Sequence, residues 1–195
     1  MNKILSPNNP NAKNVAYFIS PHGFGHAARA CAVIQATHAV LPDLHFHIFT
    51  TIPEWFFTNS LISNWSYHSA LSDIGLVQKT AFQEDVDATL RELEHFLPFS
   101  ESRIQHFAES LHTLACQFVI NDIAPLGLAA AAKAGLPSVL IENFTWEWIY
   151  AGYPDRKDDF QPWIDYLAGI FKSATYHIRT QPYCGDTVAD LITLP

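Results

Sequence analysis

The chain has 195 residues, 49% of them apolar and 15% charged. That is enough for one full-sized domain, which hides roughly 70% of the surface its unfolded chain exposes, and it leaves little room for disorder. The formal charge is -8 and the 11 basic residues are scattered, so no patch exists to neutralise a phosphate backbone, and nucleic acid is excluded as a partner. Cys31, Cys116 and Cys184 are odd in number and never spaced as C-x-x-C, which fits buried thiols in a reducing cytoplasm. Residues 1–14 are polar and lack the apolar segment of a signal peptide, so they read as a tail. No stretch approaches the ~18 consecutive apolar residues of a membrane span.

Residues 15–20 form an apolar run ending in Pro21-His22-Gly23, a buried strand meeting a turn. From Gly25 to Leu41, Ala27, Ala30, Cys31, Ile34 and Ala39 predict a helix closed by Pro42. Residues 45–50 read as a second strand, 52–62 as a short aromatic helix and 65–68 as a third strand. Residues 69–84 show no period and read as a long loop, a class of segment that is often functional. Two helices follow within 85–116, broken at Pro98, with Ser100 as the fresh N-cap.

A fourth strand at 118–120 runs into Asn121-Asp122 and a helix over 125–134, terminated by Gly135 and Pro137. Residues 138–141 give a fifth strand, 154–161 a charged loop, 162–173 a helix and 176–180 a sixth strand. Solid apolar strands alternating with helices define an α/β fold. The expectation is a Rossmann-like, doubly wound, mainly parallel sheet of about six strands with helices on both faces. Ligands of such sheets bind beyond the carboxyl ends of the strands, which directs attention to His22–His26, Thr50–Pro53, Asp122–Pro125 and Glu142–Trp148.

Gly23 and Gly25 let the backbone turn and approach a ligand, and the helix start behind them offers free N–H groups suited to a diphosphate. Gly23-x-Gly25-x-x-Ala28 also fits a dinucleotide fingerprint, but Phe49-Thr50-Thr51-Ile52 supplies no ribose-binding acid after the second strand. An NAD(P)-dependent oxidoreductase is therefore the weakest alternative. His22 and His26 stand four apart, but the glycines keep His22 off the helical face, and no metal site is expected. His45 and His47 share one side of a strand, a spacing that suits either a metal chelate or, more often, a hydrogen-bonded edge.

The run Tyr17-Phe18-Ile19-Ser20-Pro21-His22-Gly23-Phe24-Gly25-His26-Ala27-Ala28-Arg29 resembles the first loop of GT-B glycosyltransferases, which are built of two Rossmann domains. Its Gly-Phe-Gly-His-Ala-x-Arg form is most similar to the glycosyltransferase-like N-terminal domain of L-arabinokinases and related bacterial proteins. The segments 118–125 and 141–150 look like later loops of the same group, so the resemblance runs from about residue 15 to the end of the chain.

The resemblance implies an acceptor-side domain over 15–190, with 191–195 starting an interdomain linker and the donor domain absent. It implies transfer from a nucleotide-sugar co-substrate to a sugar or small-molecule acceptor, inverting and without cofactor or metal. A second Rossmann domain, in cis or trans, completes the site. His26 matches the family's general base and Asp122 the aspartate that assists it. Both have plainer alternatives: a helix-start histidine bonded to backbone, and an N-cap for the helix over 125–134. His22, Gly23, Phe24, Gly25, Asn143 and Trp146 are expected to bind ligand, although a cap followed by core aromatics also explains the last two. Because in L-arabinokinases the domain accompanies a kinase, a non-catalytic sugar-binding or regulatory domain is the second reading.

Overall fold

The computed structural model describes residues 13–62, 64–185 and 192–194. Strand β1 (Lys13–Ile19) is followed by helix α1 (Phe24–Val40), β2 (Leu44–Thr50), α2 (Glu54–Ser60) and β3 (Trp65–Ser69). A short hairpin of β4 (Gln78–Thr80) and β5 (Gln83–Glu84) precedes α3 (Val86–Phe96) and α4 (Glu101–Thr113). Then come β6 (Cys116–Asp122), α5 (Pro125–Ala134), β7 (Ser138–Glu142), α6 (Trp146–Ala151), α7 (Lys157–Lys172), β8 (Tyr176–Thr180) and β9 (Ile192–Leu194). All strands except β4 and β5 form one sheet in the order β3-β2-β1-β6-β7-β8-β9, and every pairing is parallel.

Side-chain alternation along the strands sends two cores to opposite faces. Val15, Tyr17, Ile19, Phe46 and Ile48 pack against Ala27, Ala30 and Ile34 of α1 and Phe57 of α2. Ala16, Phe18 and Phe49 face the other way, toward Leu111 of α4 and Ala130 and Ala131 of α5. A third cluster joins Leu140 to α3, α5, α6 and α7 through Leu93, Leu126, Trp146, Phe160 and Leu167. The chain winds from β1 through β2 to β3 over one face, then returns to β6 and winds outward over the other. The winding direction reverses between β1 and β6, and at such a switch point the carboxyl ends of the strands leave a crevice.

Six strands lie where the apolar runs place them, and one expected helix start and one expected helix stop behave as foreseen. Ser100 accepts from the Arg103 N–H, and Gly135 ends α5 in the left-handed region at φ 67°. Three segments differ. The charged stretch expected to be a loop is helical from Lys157, with Asp158 and Asp159 in the first turn, where the helix dipole favours acids, and Pro162 inside the helix. Within the long loop β4 and β5 pair. Residues 192–194, expected in the linker, pair with β8 as a seventh strand. The polar tail lies outside the described residues up to position 12, and Lys13 and Asn14 already belong to β1.

Candidate active site

At the switch point β1 gives way to Ser20, and the chain turns through Gly23 at φ 98° and ψ 158°, a conformation closed to side-chain-bearing residues without strain. Helix α1 starts at Phe24 with neither a side-chain cap nor an acid in its first turn, so its positive end remains uncompensated by its own side chains. His26 and Arg29 lie one turn apart and therefore on one face of α1. Beside them opens a cleft of about 520 Å³ lined by His22, Gly25, His26, Arg29, Asn143, Phe144, Thr180 and Gln181.

Asp122, at the end of β6 and fully buried, holds the centre of the cluster. Its Oδ1 lies 2.8 Å from His26 Nδ1, and since an ionised carboxylate only accepts, Nδ1 is the donor of this bond. Arg29 grips the same carboxylate with two prongs, Nε to Oδ2 at 2.7 Å and Nη2 to Oδ1 at 2.6 Å. Its Nη1 donates to Asn143 Oδ1 at 2.8 Å and to Thr180 Oγ1 at 3.2 Å. One guanidinium thus ties together α1 and the ends of β6, β7 and β8. Burial opposes the Arg29 charge, but the bonds to Asp122 outweigh it, and its pKa rises further above its ordinary range. The residue after Asp122, Ile123, sits at φ 43°, a conformation that costs a β-branched residue on the order of 1–3 kcal/mol.

The structure thus brings His26, His22, Gly25 and Asn143 to one cleft, with Asp122 buried behind His26. The capping alternative for Asp122 does not hold: the cap of α5 is Ala124, without a side-chain bond. His22 packs edge-on against Trp146, with ring centroids 5.0 Å apart, and burial followed by the His26 charge lowers its pKa, which favours the neutral ring at pH 7. Phe24 points outward, half exposed, and stacks on Phe56 beside Trp55. Trp146 is 2% exposed and packs into the core with Phe144 and Tyr150, so it supports the site from behind and offers no face to a sugar.

Arg29, Thr180 and Gln181 were not singled out from the sequence. Arg29 carried a usable signal, its place one helical turn beyond His26; Thr180 and Gln181 had none. At the end of β2, Thr50 is buried and its hydroxyl accepts from the Ile52 N–H, so no acid stands where a dinucleotide's ribose would be held. His45 Nε2 bonds the Ser66 hydroxyl at 2.7 Å, and His47 Nδ1 bonds His68 Nε2 at 3.1 Å. Among the described residues, no group of three or more His, Cys, Asp or Glu side chains is arranged to hold a metal ion.

Comparison with solved structures defines the class. The chain superposes on Medicago truncatula UGT71G1 complexed with UDP-glucose with a TM-score of 0.56 at 15% identity, covering 88% of this chain and 46% of that one. MurG of Acinetobacter baumannii gives 0.54 at 14%, covering 93% and 45%, and the spinosyn forosaminyltransferase SpnP gives 0.54 at 13%, covering 93% and 50%. The chain has the Rossmann-like domain fold of GT-B glycosyltransferases.

In sequence it is 32% identical over 189 residues to L-arabinokinase of Arabidopsis thaliana, a match covering 92% of this chain and 18% of that protein. The likeness read from the three motifs, to GT-B domains and to L-arabinokinase, is thus shown. No family model matches the chain. It spans under a fifth of the L-arabinokinase and about half of each solved structure. No helix among the described residues is long and apolar enough to cross a membrane.

Proposed function

We propose that the chain is the acceptor-side half of an inverting, metal-independent glycosyltransferase that uses a nucleotide-sugar donor and is completed by a second Rossmann domain in cis or trans. The observation that carries this reading is the His26–Asp122 pair at the switch point. His26 Nε2 takes the acceptor hydroxyl's proton as that oxygen attacks the anomeric carbon, and the nucleoside diphosphate leaves from the opposite side. Asp122 holds the ring in the required tautomer and stabilises the imidazolium. Asn143, Thr180 and Gln181 offer hydrogen bonds to acceptor hydroxyls, and Phe24 supplies an apolar shoulder. The helix α1 start favours the donor's diphosphate. The three free cysteines suit a cytoplasmic setting.

The test is sugar transfer from UDP-sugars by the chain together with its nucleotide-binding half. His26→Ala is expected to lower the rate by about 10²–10⁴-fold. Undiminished transfer would remove His26 as the base. A second reading, a sugar-binding or regulatory domain without catalysis, is favoured by Arg29: its two-pronged grip neutralises the carboxylate that would support the imidazolium. Calorimetric binding of a UDP-sugar or a free monosaccharide, with no transfer by the complete protein, would establish that reading instead.

A further inference from the structure

Residues 70–77, between β3 and β4, have no regular structure, yet they cross the carboxyl ends of the strands and carry Asp73, a carboxyl group only 3% exposed. The segment backs directly onto the site loop. A Cβ on Gly75 would stand 2.5 Å from His22 Nδ1, the Tyr150 hydroxyl donates to the Gly75 carbonyl at 2.9 Å, and Leu126 N–H points at the Ser72 carbonyl at 3.4 Å.

Hydrogen accounting around Asp73 is restrictive, because each serine hydroxyl has a single proton to give. Ser20 Oγ accepts from the His22 backbone N–H at 3.3 Å and donates to Asp73 Oδ1 at 2.9 Å. Ser72 Oγ lies within bonding distance of two oxygens, Asp73 Oδ2 at 2.9 Å and the Ile19 carbonyl at 3.2 Å. If Asp73 were ionised, all three atoms would share one proton, leaving two oxygens in contact with none between them. A proton on Asp73 Oδ2 resolves this: Oδ2 donates to Ser72, and Ser72 donates to Ile19. The ionisable groups facing Asp73 are His26 from α1, Asp122 from β6 and Tyr150 from α6, and none is a fixed cation.

We propose that Asp73 is a neutral carboxylic acid and a positioning residue, the link in a one-directional hydrogen-bond relay that runs from the His22 amide through Ser20, Asp73 and Ser72 to the Ile19 carbonyl. The relay closes the corner between β1 and the site loop. It concerns the loop's shape and holds whatever ligand the cleft takes, so it stands or falls separately from the glycosyltransferase reading.

Burial pushes the Asp73 carboxyl up to about 7, with the Asp122 charge adding to the rise and the two serine bonds and His26 opposing it. Because the folded value lies above the ordinary 3.8, the group's contribution to stability is complete below that value and is lost as pH rises through about 7. The relay is therefore closed in mildly acidic solution and opens on the alkaline side of neutrality.

Asp73→Asn decides the matter, since its amide oxygen accepts from Ser20 and its amide nitrogen donates to Ser72, as the acid does. Infrared difference spectra across neutral pH are expected to show a carboxylic-acid carbonyl band in the wild type that Asp73→Asn removes. The wild-type unfolding midpoint is expected to fall as pH rises from 3.8 to about 7 and to level off above it, and the Asp73→Asn midpoint to stay flatter. The His22 ring signals of Asp73→Asn are expected to match those of the mildly acidic wild type, while Asp73→Ala and Ser72→Ala displace them. If Asp73→Ala does not fold, Asp73→Asn and Ser72→Ala carry the test. The proposal is overturned if Asp73→Asn displaces those signals as far as Ser72→Ala does, or if no acid band specific to Asp73 titrates.

Discussion

His26 at the start of α1 and His47 in the middle of β2 are buried to nearly the same degree, 8% and 7% exposed, yet their partners differ in kind. His26 meets a carboxylate and an arginine and opens on a cleft. His47 meets His68 and lies against His45, its Nε2 is buried with no partner among the described residues, and burial followed by the neighbouring histidines pushes its pKa down to about 4. The first cluster is assembled by the crossover that brings β6 beside β1, joining residues 96 apart in sequence; the second comes from β2 and β3, residues 21 apart. Local repetition packs histidines among themselves as neutral rings. The long-range pairing instead sets a carboxylate and a guanidinium against the ring.

The sharpest way to break this contrast is Asp122→Ala. It strands the Arg29 guanidinium in a largely desolvated place and frees the His26 ring, so a loss of roughly 3–5 kcal/mol is expected from urea unfolding, with Asp122→Asn milder. A loss below about 1 kcal/mol would mean that water screens the cluster, as it does surface pairs. The two histidine sites would then no longer differ in kind.

The sheet was legible because strands buried on both faces are written as unbroken apolar runs, such as Val15–Ile19, which no surface element tolerates. The His22–His26 turn was legible for a local reason too, a glycine pair between strand and helix. What escaped depends on distant contacts. The stretch around Lys157 reads as a loop by composition, and its acids become helix-start residues only once α7 has somewhere to pack. Strand β9 is three residues long and defined by backbone pairing with β8. Residues 70–77 owe their order to Ser20 and Tyr150, far away in the chain. Trp146 carried the same sequence signal as a sugar-stacking tryptophan, and only the core behind His22 shows where its ring lies.

A smaller effect probes the other side of the comparison. His47→Phe keeps an aromatic ring against His45 and His68 and is expected to cost no more than about 1 kcal/mol near pH 7, since His47 is already uncharged there. Acidification should separate the two proteins. The folded value of about 4 lies below the ordinary 6.5, so the stability that neutral His47 contributes is complete above 6.5 and is lost as pH falls toward about 4. The variant's unfolding free energy is expected to decline less steeply across that window. Equal slopes would place the acid sensitivity on His45 and His68, whose pKa values burial also lowers.

The smallest change in stability carries the most information about the cleft. Gly25 lies in the first turn of α1, and a Cβ built there meets nothing within 4 Å. Neither backbone conformation nor packing demands glycine at this position, in contrast to Gly23 with its φ of 98°. Gly25→Ala is therefore expected to raise stability by about 0.4–1 kcal/mol, through the entropy it removes from the unfolded chain. Its methyl group would project where Gly25 lines the cleft beside His26. If that cleft takes a phosphate or sugar close to the helix backbone, thermal melting will show a protein as stable as the wild type or more so, while calorimetry shows weakened binding. Gain of stability with loss of binding would assign the glycine to a ligand. Unchanged binding would leave Gly23 alone responsible for the turn and move the ligand toward Asn143 and Thr180, on the far side of Arg29.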